Sequence, residues 1–171
     1  MTDNTQIVSF EESVRKRPFM YIGNNGIIDL IRGIILDCIN LCKTDKILFS
    51  ISILGENTFN IGLISDKDIS PFIEHFSEDT NLDYNNWLPK VLRVIAEKLE
   101  IRNGASSLIK NNTETVLHFE FDKTIIDNTY VDYQKLCESL LQIALLNRNT
   151  EILVKDTRQN YLNQNYYHLI Q

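Results

Sequence analysis

Between Ile27 and Leu41 apolar residues fall at Ile27, Ile28, Leu30, Ile31, Ile34, Ile35, Cys38, Ile39 and Leu41, the recurrence at three and four residues that marks a helix. So wide a stripe requires burial on most sides, leaving Asp29, Arg32, Asp37 and Asn40 as the helix's polar surface. Such a helix needs a second layer to cover it, and this constrains the fold more than any other segment. Gly33 in mid-helix costs about 1 kcal/mol relative to alanine, which points to a close packing contact at that position. The residues before the helix are punctuation: Arg15-Lys16-Arg17 lead into Pro18, the apolar run Phe19-Met20-Tyr21-Ile22 ends at Gly23, and Asn24-Asn25-Gly26 make a turn. Residues 10–17 read as a short helix stopped at Arg17, because the residue before a proline is pushed out of the helical region.

Downstream, residues 46–53 (KILFSISI) and 58–64 (TFNIGLI) alternate around β-branched residues, and Gly55-Glu56-Asn57 join them as a hairpin loop. A short helix is expected within 71–76, followed by the acidic and polar run SEDTNLDYNN. Trp87 to Leu99 reads as an amphipathic helix with Pro89 in its first turn and Leu88, Val91, Leu92, Ile95 and Leu99 on its buried side. Ile101 to Leu108 reads as a strand region with Asn103-Gly104 as its turn, and Thr115 to Asp122 as a cleanly alternating strand. Tyr133, Leu136, Leu140, Ile143 and Ala144 predict a long helix, followed by a strand over 151–155, a turn near 156–158 and a closing strand over 166–170.

The 171 residues are enough for one domain with a real core. A formal charge of −6 argues against a duplex-binding surface, which needs a concentrated Lys/Arg face; the strip Arg15-Lys16-Arg17 is too short to reverse that and reads on its own as a solvated turn. The absence of a charged-then-apolar leader and of an apolar run of about 18 residues leads to the expectation of a soluble, cytoplasmic protein. Cys38, Cys42 and Cys137 include no CxxC pair and have no histidine close by in sequence, so they read as buried reduced thiols. His75, His118 and His168 fall in unrelated contexts.

The segment Val14 to Gly23, VRKRPFMYIG, resembles the segment that opens the ATPase domain of DNA gyrase B and its topoisomerase IV relatives, in the GHKL superfamily, with Phe19 where the family has glycine. Val131 to Arg158 resembles the C-terminal part of the same domain, matching it at Asp132, Tyr133, Leu136, Leu140, Ala144, Leu146, Asn147, Ile152, Asp156 and Arg158. The resemblance runs in order along nearly the whole chain. It implies a two-layer α/β sandwich, with helices on one face of a mixed, mostly antiparallel sheet, and a longer N-terminal arm and a transducer domain that this chain is expected to lack.

The matches fail where the family holds ATP. The resemblance puts Gly33 at the place of the catalytic glutamate and Asp37 at that of the magnesium-binding asparagine. Ser65 stands for the adenine-binding aspartate, with Asp66 and Asp68 in place of glycines that let backbone approach the nucleotide; slipped by one, the register would let Asp66 take the aspartate's role. No glycine occurs between Gly62 and Gly104, where the family has a glycine-rich lid. Thr115 matches a threonine whose aspartate partner is absent, and otherwise reads as an ordinary strand threonine. The expectation is a pseudo-ATPase with no catalytic residue, cofactor or metal, acting through a protein partner. That partner would be a topoisomerase-like ATPase, or a toxin or inhibitor met by an immunity or decoy protein. The acidic run around Glu78, Asp79 and Asp83 is the candidate contact, and otherwise a solvated loop. The alternative is a nucleotide or small-ligand binder whose remodelled pocket is surrounded by Asp37, Asp66, Lys67, Asp68 and Thr115.

Overall fold

A computed structural model of the chain describes residues 8–42, 46–65, 69–77, 87–106, 108–109, 112–158 and 163–167. Helix α1 (Phe10–Lys16) starts where the Ser9 hydroxyl accepts the Glu12 amide at 3.1 Å, carries Glu11 and Glu12 in its first turn and Arg15 and Lys16 in its last, and ends at Arg17 ahead of Pro18. A single helical turn, α2 (Phe19–Ile22), stops at Gly23, whose φ of +89° few other residues adopt. Gly26, at φ +59°, turns the chain into α3 (Ile27–Cys42). The eight buried residues of α3 confirm that its apolar stripe is covered on most sides.

Helix α3 lies on a sheet built from β1 (Ile47–Ile53), β2 (Thr58–Ser65), β3 (Ala96–Ala105), β4 (Thr113–Phe121), β5 (Thr150–Asp156) and β6 (Asn163–Tyr167), in the order β3-β4-β2-β1-β5-β6. β1 and β2 form the expected hairpin, from Ile47 opposite Ser65 to Ile53 opposite Phe59. β1 runs parallel to β5, and the other pairings, β2–β4, β3–β4 and β5–β6, are antiparallel. Phe49, Ile51, Phe59, Ile61, Leu117, Phe119, Ile152 and Val154 point from one face of the sheet into the core that the helices close. Phe59 stacks on Phe119, ring centroids 5.6 Å apart. The remaining helices are α4 (Ser70–Ser77), α5 (Trp87–Ile95) and α6 (Tyr133–Leu146), the last capped by Asp132, which accepts the Lys135 amide at 3.0 Å. The chain is thus an α/β protein with helices layered on a mixed, mostly antiparallel sheet.

The structure corrects the sequence reading at the α5–β3 junction, at the turn after it and at the closing strand. The helix expected to reach Leu99 ends at Ile95, and Ala96 begins β3 at once. Ile95 and Leu99, four apart, suit a helix, but Leu99 and Ile101, two apart, suit a strand, and pairing of Leu99 with Phe119 and Ile101 with Leu117 settles it for the strand. Asn103 and Gly104 are accordingly not a turn but lie within β3, opposite Thr115 and Glu114. The reversal comes after Ala105, closed by the Ser106 amide on the Asn112 carbonyl at 2.8 Å. The closing strand spans Asn163–Tyr167 rather than 166–170, whose last three residues lie outside the described ones.

Candidate functional site

Asp29, Gly33 and Asp37 sit four residues apart and share one face of α3. Each is engaged differently. The Asp29 carboxylate reaches back to the turn before the helix, accepting the Asn25 amide at 2.9 Å and its side-chain nitrogen at 3.0 Å. Gly23 lies so close that a Cβ there would be 2.6 Å from Asp29 Oδ2, which gives this glycine a second reason beyond its positive φ. At Gly33 a Cβ would stand 3.2 Å from Leu88 Cδ2, so the close contact expected from a mid-helix glycine is made by α5. Asp37 faces α4, with His75 Nε2 3.7 Å from its Oδ2, too far for a hydrogen bond and an ion pair only when the imidazole is charged.

Helix α4 is held down by Phe72 and Phe76, both buried, with rings 4.8 Å apart. Arg93 of α5 donates to the Phe76 carbonyl at 2.9 Å. His75 is buried, and its Nε2 has no hydrogen-bond partner among the described residues. The contact between His75 and Asp37 joins residues far apart in sequence, and nothing in either segment alone signals it.

Two open grooves flank α2. One, of about 410 Å³, is walled by Met20, Ile22, Leu30, Trp87 and Leu88, with Gly33 and Asp29 on its inner side. Asp29 is the only charged residue among its described lining, so a phosphate entering it would meet a carboxylate and apolar carbon. The other, of about 360 Å³, has Phe19 and Tyr130 at its sides, Gly26 to Ile28 at the start of α3, and Lys135 and Asp132 of opposite charge. Four large apolar side chains rim the pair: Phe19 is 44% exposed, Met20 72%, Trp87 45% and Tyr130 68%. The Tyr130 ring also carries the Arg158 guanidinium at 5.1 Å, while Arg158 binds Asp156 through Nε at 2.9 Å and Nη2 at 2.7 Å. That fork holds the Asp156 carboxyl below its usual range and raises the guanidinium in turn. The sequence reading missed this exposed rim, because exposure of an apolar side chain depends on what fails to cover it.

Neither Asp37 nor Thr115 lines either groove. Thr115 is buried on β4 and donates to the Asn103 side chain at 2.6 Å, while Asp37 faces His75 on α4. Asp66, Lys67, Asp68, Glu78, Asp79 and Asp83 lie outside the described residues. The three cysteines are buried thiols outside any disulfide, and Cys38 and Cys42 place their sulfurs 3.8 Å apart; the hydrogen bond between them and burial push the Cys38 thiol far up. No group of three His, Cys, Asp or Glu placed to hold a metal occurs among the described residues, and none of their helices is long and apolar enough to cross a membrane. Compared with models of known protein families and with curated proteins, the chain matches none.

Proposed function

We propose that this chain is a catalytically inactive relative of the gyrase B ATPase domain that works by binding another protein. The observation that carries the reading is at Gly33. The position that the resemblance matches to the catalytic glutamate has no side chain, and Leu88 stands 3.2 Å from where one would begin. Hydrolysis needs a base within reach of the attacking water. Asp29, one turn earlier, is occupied by Asn25, and Asp37, one turn later, faces the buried His75.

A binding role is supported by the exposed Phe19, Met20, Trp87 and Tyr130, since aromatic residues and methionine are the types enriched at the cores of protein interfaces. A partner meeting that rim would be a topoisomerase-like ATPase that the chain regulates, or a toxin or inhibitor that it draws off as an immunity or decoy protein. From the sequence alone, the acidic run around Glu78, Asp79 and Asp83 is a candidate contact for a basic surface. The test is affinity capture from a native extract with wild type and with a Met20→Ser, Trp87→Ser double variant. A partner retained by wild type and lost by the folded variant supports the reading; a partner retained equally by both overturns the assignment of this surface.

A second reading, a small-ligand binder, draws on the 410 Å³ groove, whose apolar wall suits an apolar ligand better than a nucleotide. A thermal-shift titration separates the two, because a ligand that binds the native state raises its melting temperature. A rise of several degrees with a small molecule, abolished by Trp87→Ser, would favour this second reading.

A further inference from the structure

β3 is the outermost strand of the sheet, and among the described residues no strand pairs with its free edge. An edge of ten residues is a template for a further strand, which native proteins guard with charge. The charges here have a particular order. Lys98, Glu100 and Arg102 pair with Glu120, His118 and Val116 of β4, and so occupy the face of the sheet turned away from Leu117 and Phe119 and the core. They form a row of plus, minus, plus, in which Glu100 meets Lys98 at 3.0 Å and Arg102 Nε at 2.9 Å. On the helix side of the same strand, Leu99 and Ile101 are only partly buried.

We propose that β3 pairs with β3 of a second copy of this chain, antiparallel about a two-fold axis, to make one continuous sheet. In an antiparallel pair, residues directly opposite share a face, so the two-fold must fall on a single residue for this strand to meet itself face to face. Charge chooses among the possibilities. Centred on Glu100, the pairing sets Glu100 against itself and Lys98 against Arg102, all like charges. Centred on Leu99, it sets Glu100 against Lys98 but draws in the irregular register between Ala96 and Lys98. Centred on Ile101, it sets Glu100 against Arg102 of the other copy twice over and runs from Lys98 to Gly104, wholly within the regular part of the strand. This last register also places Ile101 against Ile101, covering apolar surface that the single chain leaves partly open. The occupant is therefore a second copy, identified by the self-complementary order of its charges.

Sedimentation velocity over a concentration series tests this. Wild type is expected to dimerise. Glu100→Arg and Arg102→Glu, each of which turns both cross-copy pairs repulsive, are each expected to raise the dimer dissociation constant at least about tenfold. The double variant Glu100→Arg, Arg102→Glu restores the complementary order with the signs exchanged and is expected to return to within about threefold of wild type. Circular dichroism of each variant separates loss of pairing from loss of fold, and the two single variants stand in for one another should either unfold. A wild type that stays monomeric at every concentration overturns the proposal. So does a dimer indifferent to both single reversals, or one that the double exchange fails to restore; pairing of this edge with a strand from another protein would appear as the first of these.

Discussion

Replacing Gly23 with alanine strikes the junction between α2 and α3 in two ways. Its backbone, at φ +89° and ψ 174°, is a conformation that essentially only glycine occupies, and a residue with a Cβ there costs on the order of 1–3 kcal/mol. The new methyl would also lie 2.6 Å from Asp29 Oδ2 and 2.9 Å from its Cβ, so the carboxylate must move and release the Asn25 amide it holds. Loss of a cap of this kind costs a further 0.5–2 kcal/mol or so. The total, about 1.5–5 kcal/mol, corresponds to a fall in melting temperature of roughly 3–20 °C for a domain of this size. Urea denaturation of four proteins, wild type, Gly23→Ala, Asp29→Ala and the double variant, separates the two contributions. With Asp29 already truncated, the glycine substitution is expected to cost only its backbone strain, so the double variant is more stable than the sum of the singles predicts. A cost below about 0.5 kcal/mol for Gly23→Ala, or strict additivity, would refute the reasoning.

Two further outcomes follow from the charged groups. Arg158→Ala strands the nearly buried Asp156 carboxylate and is expected to destabilise by about 2–4 kcal/mol in denaturant. Because the folded state holds Asp156 below its unfolded value, its contribution is complete above the ordinary carboxylate range and fades as the pH falls through the lower folded value; acid titration of stability should be correspondingly shallower in the variant. His118 on the outer face is pushed down by burial first and by Arg102 and Lys98 next, so its NMR titration midpoint should lie below that of a free histidine and rise in Arg102→Ala. Its neutral form stabilises the fold above the unfolded histidine value, and that stability is lost as the pH falls toward the folded one.

The parts of the fold that were legible in the sequence are those whose signal is local and repeated. α3 announces itself by a broad apolar stripe, the β1–β2 hairpin by alternation around a short loop, and α6 by the spacing of Tyr133, Leu136, Leu140, Ile143 and Ala144. The α5–β3 junction was not legible because one spacing, Ile95 to Leu99, suits a helix while the next, Leu99 to Ile101, suits a strand, and only the partner strand β4 decides between them. At the candidate site, Gly33 could be read as a close contact, although not that Leu88 makes it. The approach of His75 to Asp37 and the placing of the Arg158 guanidinium over the Tyr130 ring join distant segments, and the exposed rim around α2 is defined by what does not cover it. Neither kind of feature has a period for a sequence to display.

The proposed function requires that the Gly33 face of α3 holds no nucleotide. Isothermal titration calorimetry of the chain with magnesium and a non-hydrolysable ATP analogue tests it most directly. The expected result is no saturable heat at millimolar analogue, with or without magnesium. Saturable, magnesium-dependent binding that a Leu88→Arg substitution beside Gly33 abolishes, in a variant that remains folded, would contradict the claim.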